Sequence, residues 1–200
     1  MTDDSATVDF WFDPGCPYTW RTSRWLTDVA ARRPVAVSWR LMSLAVLNAG
    51  KDVPEEHRPT LRQGTRTLRV LLAAEDAGGQ DALCRLYTAL GTRVHDRQET
   101  YDDELVRAAV AEVGLDPSVG DALGDESYDE RVRAGHDEAQ RRVGTEVGSP
   151  VISIAGGTAY FGPVVVPVPA GEDALRLFDA LQLLANVPAF SELKRARAGL

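Results

Sequence analysis

Cys16 is the residue most able to do chemistry, and its setting is Asp13-Pro14-Gly15-Cys16-Pro17-Tyr18-Thr19-Trp20. An apolar run ends just before it, and a segment with helical spacing begins just after. A cysteine at the first turn of a helix meets unpaired N–H groups and a partial positive charge, both of which favour a thiolate. Pro17 suits the first helical position, where its missing N–H costs nothing. Thr19, three residues on, can bring a hydroxyl to the same sulfur. The expectation is an ionised, nucleophilic Cys16 assisted by Thr19. Tyr18 and Trp20 flank the sulfur and can stack on a flat or sugar-bearing ligand, whereas Trp11 and Trp25 read as core.

These residues need a strand to deliver them and a helix to carry them. Thr7 to Phe12 is rich in aromatic and β-branched residues and predicts a strand. The helix runs from Pro17 to about Arg33, where Pro34 stops it, and Val35 to Leu41 predicts a second strand. Short links between them favour a right-handed parallel βαβ unit. From about Pro54 to Val143 only helical spacing is present. Helices are predicted over Leu61 to Glu75, ended by Gly78-Gly79, over Ala82 to Val94, and over Tyr128 to Val143. Another follows a capping box at Thr100-x-x-Asp103 and closes at Gly114. Strands return at Val151 to Ile154 and Thr158 to Phe161, with Gly156-Gly157 supplying the positive φ angles of a tight turn. A helix over Glu172 to Asn186 completes the chain's regular structure. The fold class is therefore α/β: a thioredoxin-like βαβ…ββα core with an all-helical insertion between the second and third strands. The core takes residues 1–53 and 146–200, and the insertion takes 54–145.

Ser149-Pro150 opens the third strand, and the resemblance to thioredoxin-like proteins implies that a cis-proline at this point faces the cysteine. A proline there is also compatible with a trans bond, but its pairing with Cys-Pro-x-x favours cis and assigns Ser149 and Pro150 to substrate binding.

Composition narrows the partners. With 22 basic and 30 acidic residues the net charge is -8, which excludes a phosphate-backbone partner. No apolar run approaches the roughly 20 residues that span a bilayer. Met1-Thr2-Asp3-Asp4-Ser5 is acidic and unlike a secretory leader, so the expected compartment is the cytoplasm. The other cysteine, Cys84, lies in an apolar helical stretch and reads as a buried core thiol. His57, His95 and His136 are scattered, and no spacing suggests a metal site.

Longer matches give a resemblance over nearly the whole chain. They are Asp9-Phe-Trp-Phe-Asp-Pro-Gly-Cys-Pro-Tyr, Met42-Ser-Leu-Ala-Val-Leu-Asn48, Val147-Gly-Ser-Pro-Val151 and Phe190-Ser-Glu-Leu-Lys-Arg195. On these the chain resembles the DsbA-family thioredoxin-fold proteins of actinobacteria, in particular the mycothiol-dependent nitroreductases. The arginine-rich composition, with lysine only at Lys51 and Lys194, agrees with such a source.

The resemblance implies mycothiol as cosubstrate, a small electrophilic, nitro or disulfide substrate, and no metal. It leaves a homodimer open. It also implies that Asn48 and His57 line the substrate cleft, His57 standing where relatives have tyrosine. Thr19 stands where relatives carry the resolving cysteine, so the implied chemistry is monothiol, through a mixed disulfide at Cys16. Two alternatives stay open: a mycothiol S-transferase or isomerase resembling kappa-class glutathione transferases, and a redox-inactive binding module.

Overall fold

Hydrophobic alternation in β1 (Ala6–Phe12) sorts its side chains onto two faces, and this sorting organises the molecule. Val8, Phe10 and Phe12 enter the main core, while Trp11 enters a smaller cluster with Met42, Ala139 and Val151. The computed structural model describes residues 6–196, so the acidic start Met1 to Ser5 lies outside the described residues.

The element order is β1, α1 (Pro17–Arg32), β2 (Val35–Leu41), α2 (Leu44–Leu47), α3 (Arg58–Gly91), α4 (Asp103–Glu112), α5 (Asp129–Val143), β3 (Val151–Ile154), β4 (Tyr160–Phe161) and α6 (Glu172–Leu184). The sheet order is β2-β1-β3-β4, with β1 parallel to β2 and antiparallel to β3. Phe10 pairs with Trp39 on one side and Ile152 on the other, so β1 is central and is buried by helices. This is the predicted βαβ…ββα pattern, with α3, α4 and α5 between the second and third strands.

Several local predictions shift. The stretch labelled α3 is two helical segments meeting at Gly78 and Gly79, whose φ of -153° and 66° end the first where predicted, and the second passes at Thr92–Asp96 into a π-helical turn. The cap of α4 is Asp102, whose carboxylate accepts the Leu105 N–H at 2.9 Å, and not Thr100. An ionised oxygen is the better partner for the positive helix end. The β3–β4 turn is centred on Ala155 and Gly156, with φ of 50° and 70°, one residue earlier than predicted. It closes through Gly157 N–H to the Ile154 carbonyl at 2.9 Å. Gly157 is needed instead for space, because a Cβ there would sit 2.9 Å from the Ala185 carbonyl oxygen.

An aromatic spine joins the helical block to the sheet. Phe12 stacks on Tyr87 of α3 with centroids 3.9 Å apart, and Trp20 of α1 meets the same ring edge-on at 5.7 Å. Trp25 is buried and donates its indole N–H to the Ala174 carbonyl, which ties α1 to α6. Cys84 is only half-buried at the core's margin, not enclosed as predicted, because its helix turns it towards Arg24 and Thr88.

Candidate active site

Cys16 occupies the N-cap position of α1, with extended dihedrals (φ -89°, ψ 113°) and with Pro17 as the first helical residue. The preceding turn is closed by Cys16 N–H to the Asp13 carbonyl at 3.1 Å. The Ser149–Pro150 bond is cis. The Ser149 carbonyl oxygen lies 3.6 Å from the Cys16 sulfur, at the distance of an S–H donor bond. The fold thus brings Cys16, Thr19 and Ser149 together from ends of the chain 130 residues apart.

The hydroxyl groups form an ordered chain. Ser149 Oγ accepts the Asp13 backbone N–H at 3.1 Å and lies 2.7 Å from Thr19 Oγ1. Ser149 therefore has its own proton to give to Thr19, which leaves the Thr19 proton for the Cys16 sulfur beside it. Thr19 is fully buried and makes no contribution to the cleft surface.

The protonation expectation needs correction. Burial pushes the Cys16 thiol above its ordinary value; the Thr19 hydroxyl and the Thr19 and Tyr18 amides pull it down, and the nearby Asp13 carboxylate pushes it up again. With the Cys16 residue only 7% exposed, its thiol loses more solvation than the helix start returns. The resting group is a thiol donating to the Ser149 carbonyl, held among donors that would receive a thiolate.

Asp13 is the residue sequence reasoning missed. Its Oδ1 accepts the Gly15 N–H at 2.8 Å and its Oδ2 accepts the Leu44 N–H at 2.7 Å, so one carboxyl fixes the loops after β1 and β2. Gly64 of α3 packs over it, since a Cβ there would meet Oδ1 at 3.5 Å. Burial raises its pKa to about 6 against the pull of those two amides. In sequence, Asp-Pro-Gly reads only as a turn, and nothing local shows that the carboxyl is enclosed.

A cleft of about 1020 Å³ opens beside the sulfur, between α1 and the helical block. Cys16, Pro17 and Trp20 form its floor, with Asn48, Pro54 and His57 on one wall and Val94, His95 and Tyr101 on the other. Asn48 caps α2 and donates its amide to the Leu44 carbonyl at 2.7 Å, presenting its remaining polar atoms to the cleft. His57 ends an exposed 3₁₀ turn, Glu55–His57. His95, absent from the predicted site, reaches the Pro14 carbonyl at 2.9 Å through Nε2, which therefore carries the proton. Burial lowers its pKa, so its Nδ1 is a free acceptor at neutral pH.

Two predicted ligand residues sit differently. Trp20 is buried, with its indole N–H on Asp96 at 2.8 Å and a Cβ on Gly91 excluded by its ring, so it shapes the cleft more than it offers a stacking face. Tyr18 is partly exposed but lies outside the cleft lining, because the helical turn carries it away from the Pro17–Trp20 face. Ser149 and Pro150 also lie outside that lining, Ser149 meeting the sulfur only through its carbonyl oxygen. Among the described residues no group of three potential metal ligands occurs, and no helix is long and apolar enough to cross a membrane.

Comparison with known proteins gives concordant matches. The family profile described as Rv2466c-like, mycothiol-dependent nitroreductase Rv2466c, matches residues 15–195. The uncharacterized protein Rv2286c of Mycobacterium tuberculosis is 33% identical over 197 residues, covering 96% of this chain and 83% of that protein. Among solved structures, a probable DsbA oxidoreductase, SCO1869 of Streptomyces coelicolor, superposes with a TM-score of 0.64 at 20% identity, covering 96% of this chain and 95% of that one. A 2-hydroxychromene-2-carboxylate isomerase superposes at 0.62 with 16% identity, covering 89% and 95%. The two structures establish a shared fold.

Proposed function

Because this chain belongs to the Rv2466c-like family of mycothiol-dependent nitroreductases, we propose that it is a cytosolic monothiol oxidoreductase, with Cys16 as nucleophile and mycothiol as cosubstrate. The observation that carries this reading is the pairing of one sulfur with one hydroxyl. Cys16 opens on the cleft, and the position that would resolve a disulfide holds Thr19, bonded to Ser149.

The cleft fits a polar thiol. Asn48, His57 and His95 give it donors and acceptors around an apolar floor, and the sulfur lies at one end. When bound, mycothiol supplies the second thiol that the motif lacks. Cys16 must first lose its proton, and the Ser149–Thr19 hydroxyl chain then donates to the sulfur anion. On a disulfide substrate the thiolate displaces one thiol and keeps the other half as a mixed disulfide. An incoming thiol then frees Cys16. For a nitro substrate the balance is two thiols oxidised to one disulfide while the nitro group becomes nitroso and releases water.

The raised thiol pKa favours a second reading, in which Cys16 stays protonated and donates to a thiolate held in the cleft, as in an S-transferase or isomerase. Turnover of Cys16→Ser with mycothiol separates the two. Loss of all turnover is the outcome for a nucleophilic Cys16. A substantial retained rate assigns the transferase mechanism, since a serine hydroxyl still donates.

A further inference from the structure

Beyond Cys16 the face of α1 that lines the cleft carries Arg21 and Arg24, at the spacing of successive helical turns. A rise of 1.5 Å per residue places their Cα atoms about 7.5 and 12 Å along the axis from Cys16. Helical side chains lean towards the N-terminus, so both heads are carried back towards the sulfur. Arg24 places its guanidinium carbon 4.0 Å from the centre of the Trp20 ring, donates from Nε to Ser23 Oγ at 3.2 Å, and donates weakly from Nη2 to Thr88 Oγ1 at 3.4 Å. Arg21 sits close enough to His95 to disfavour its charged form.

Neither arginine has a carboxylate within ion-pair distance among the described residues, in a protein with 30 acidic side chains. Arg33, Arg40, Arg69, Arg93 and Arg131 each hold an aspartate or glutamate. The acids of the cleft lie beyond ion-pair distance of both arginines, although Asp96 attracts Arg24 from there. Asp96 accepts the Trp20 indole N–H, and Asp52 stands on the opposite wall in the exposed segment after α2. A half-buried guanidinium that gives up solvent and gains only the distant attraction of Asp96, with no carboxylate bonded to it, is incompletely compensated, and its planar fork suits a carboxylate.

We propose that Arg21 and Arg24 form an anion subsite that selects acceptor substrates bearing a carboxylate or an equivalent negative group, held one to two helical turns from the reacting sulfur. This rests on the reading of Cys16 as the reacting group and names the substrate class for it.

The test is single-turnover thiol–disulfide exchange in a Cys84→Ser background, so that Cys16 is the reporting thiol. Two aryl disulfides are compared: dithiobis(nitrobenzoate), with a carboxylate on each ring, and dithiodipyridine, with none. In each case the Cys16 thiolate attacks one sulfur, the S–S bond breaks, one arylthiol stays on Cys16, and the other leaves as the measured arylthiolate. Arg24→Gln and the Arg21→Gln/Arg24→Gln pair are expected to lower the anionic-to-neutral rate ratio by about tenfold or more, the scale of one hydrogen bond between charged groups. The neutral rate should stay within about twofold of the parent, which also reports an intact fold. Arg24→Lys should recover part of the ratio, and added salt should reduce it.

An unchanged ratio in the double variant overturns the subsite, as does an equal fall in both rates. Intact mass after exposure to oxidised mycothiol keeps the two readings apart. A shifted ratio in a protein that forms no adduct leaves the subsite standing and rejects the mycothiol assignment. An unchanged ratio in a protein that forms the adduct rejects the subsite alone.

Discussion

Thr19 decides what the neighbouring sulfur can do, because its hydroxyl is the last donor in a chain that begins at the Asp13 amide. Thr19→Val keeps the volume and removes the donor. Alkylation of Cys16 by a neutral reagent at pH 7 should slow by about tenfold, since a bond to a charged group is lost. Thr19→Cys should instead permit an intramolecular disulfide, detected as the loss of two titratable thiols on mild oxidation. Asp13 acts on the same sulfur with the opposite sign. Asp13→Asn removes the charge that disfavours the thiolate, so the alkylation midpoint should move to lower pH.

Asp13 also links stability to pH. Its folded pKa is raised from 3.8 to about 6, so the folded protein binds this proton more tightly than the unfolded chain does. That contribution is fully present below about 3.8 and is lost as pH rises through about 6. Urea unfolding across this window should show the falling slope in the parent and its loss in Asp13→Asn. A common slope in both would remove Asp13 from the account.

At the scale of elements, α3 positions the cleft floor through one close approach. A Cβ on Gly91 would fall 2.1 Å from the Trp20 ring, so Gly91→Ala forces the ring to move. Overpacking of this kind costs about 1–3 kcal/mol. Denaturant unfolding followed by tryptophan fluorescence should show both the loss and an altered native signal. The elements themselves were legible in the sequence because strand alternation, Pro17 and the helical spacing are local signals. So was the Cys16, Pro150 and Thr19 grouping, since the thiol motif and Ser149-Pro150 flank predicted elements. The cap at Asp102 was missed because Thr100 offers an equally good pattern two residues earlier. The turn at Ala155 was missed because a glycine pair outweighs an alanine in any local reading, although Gly157 is required for space. Asp13 and His95 escaped for a different reason: their roles come from Leu44, Gly64 and Pro14, which only the fold brings near.

For the whole molecule, the cleft needs a helical block that is seated on the sheet and held together within itself by contacts between its helices. One is the bidentate pair of Arg69 in α3 with Asp129 in α5, at 2.6 and 2.8 Å, where Arg69 is nearly buried and Asp129 half exposed. Asp129→Asn leaves that guanidinium with only the exposed Glu126 at 4.0 Å as counter-charge and should destabilise by about 2 kcal/mol, less than for a fully buried pair. Thermal unfolding measures this, and a change near zero would show that apolar packing alone holds α3 to α5.

The central claim, a nucleophilic Cys16 that partners a small thiol without a second cysteine, is tested most directly by intact-mass analysis after incubation with oxidised mycothiol. The account predicts one adduct, located on Cys16 by peptide mapping, reversed by added mycothiol and absent in Cys16→Ser. No adduct, or one carried by Cys84, would contradict it.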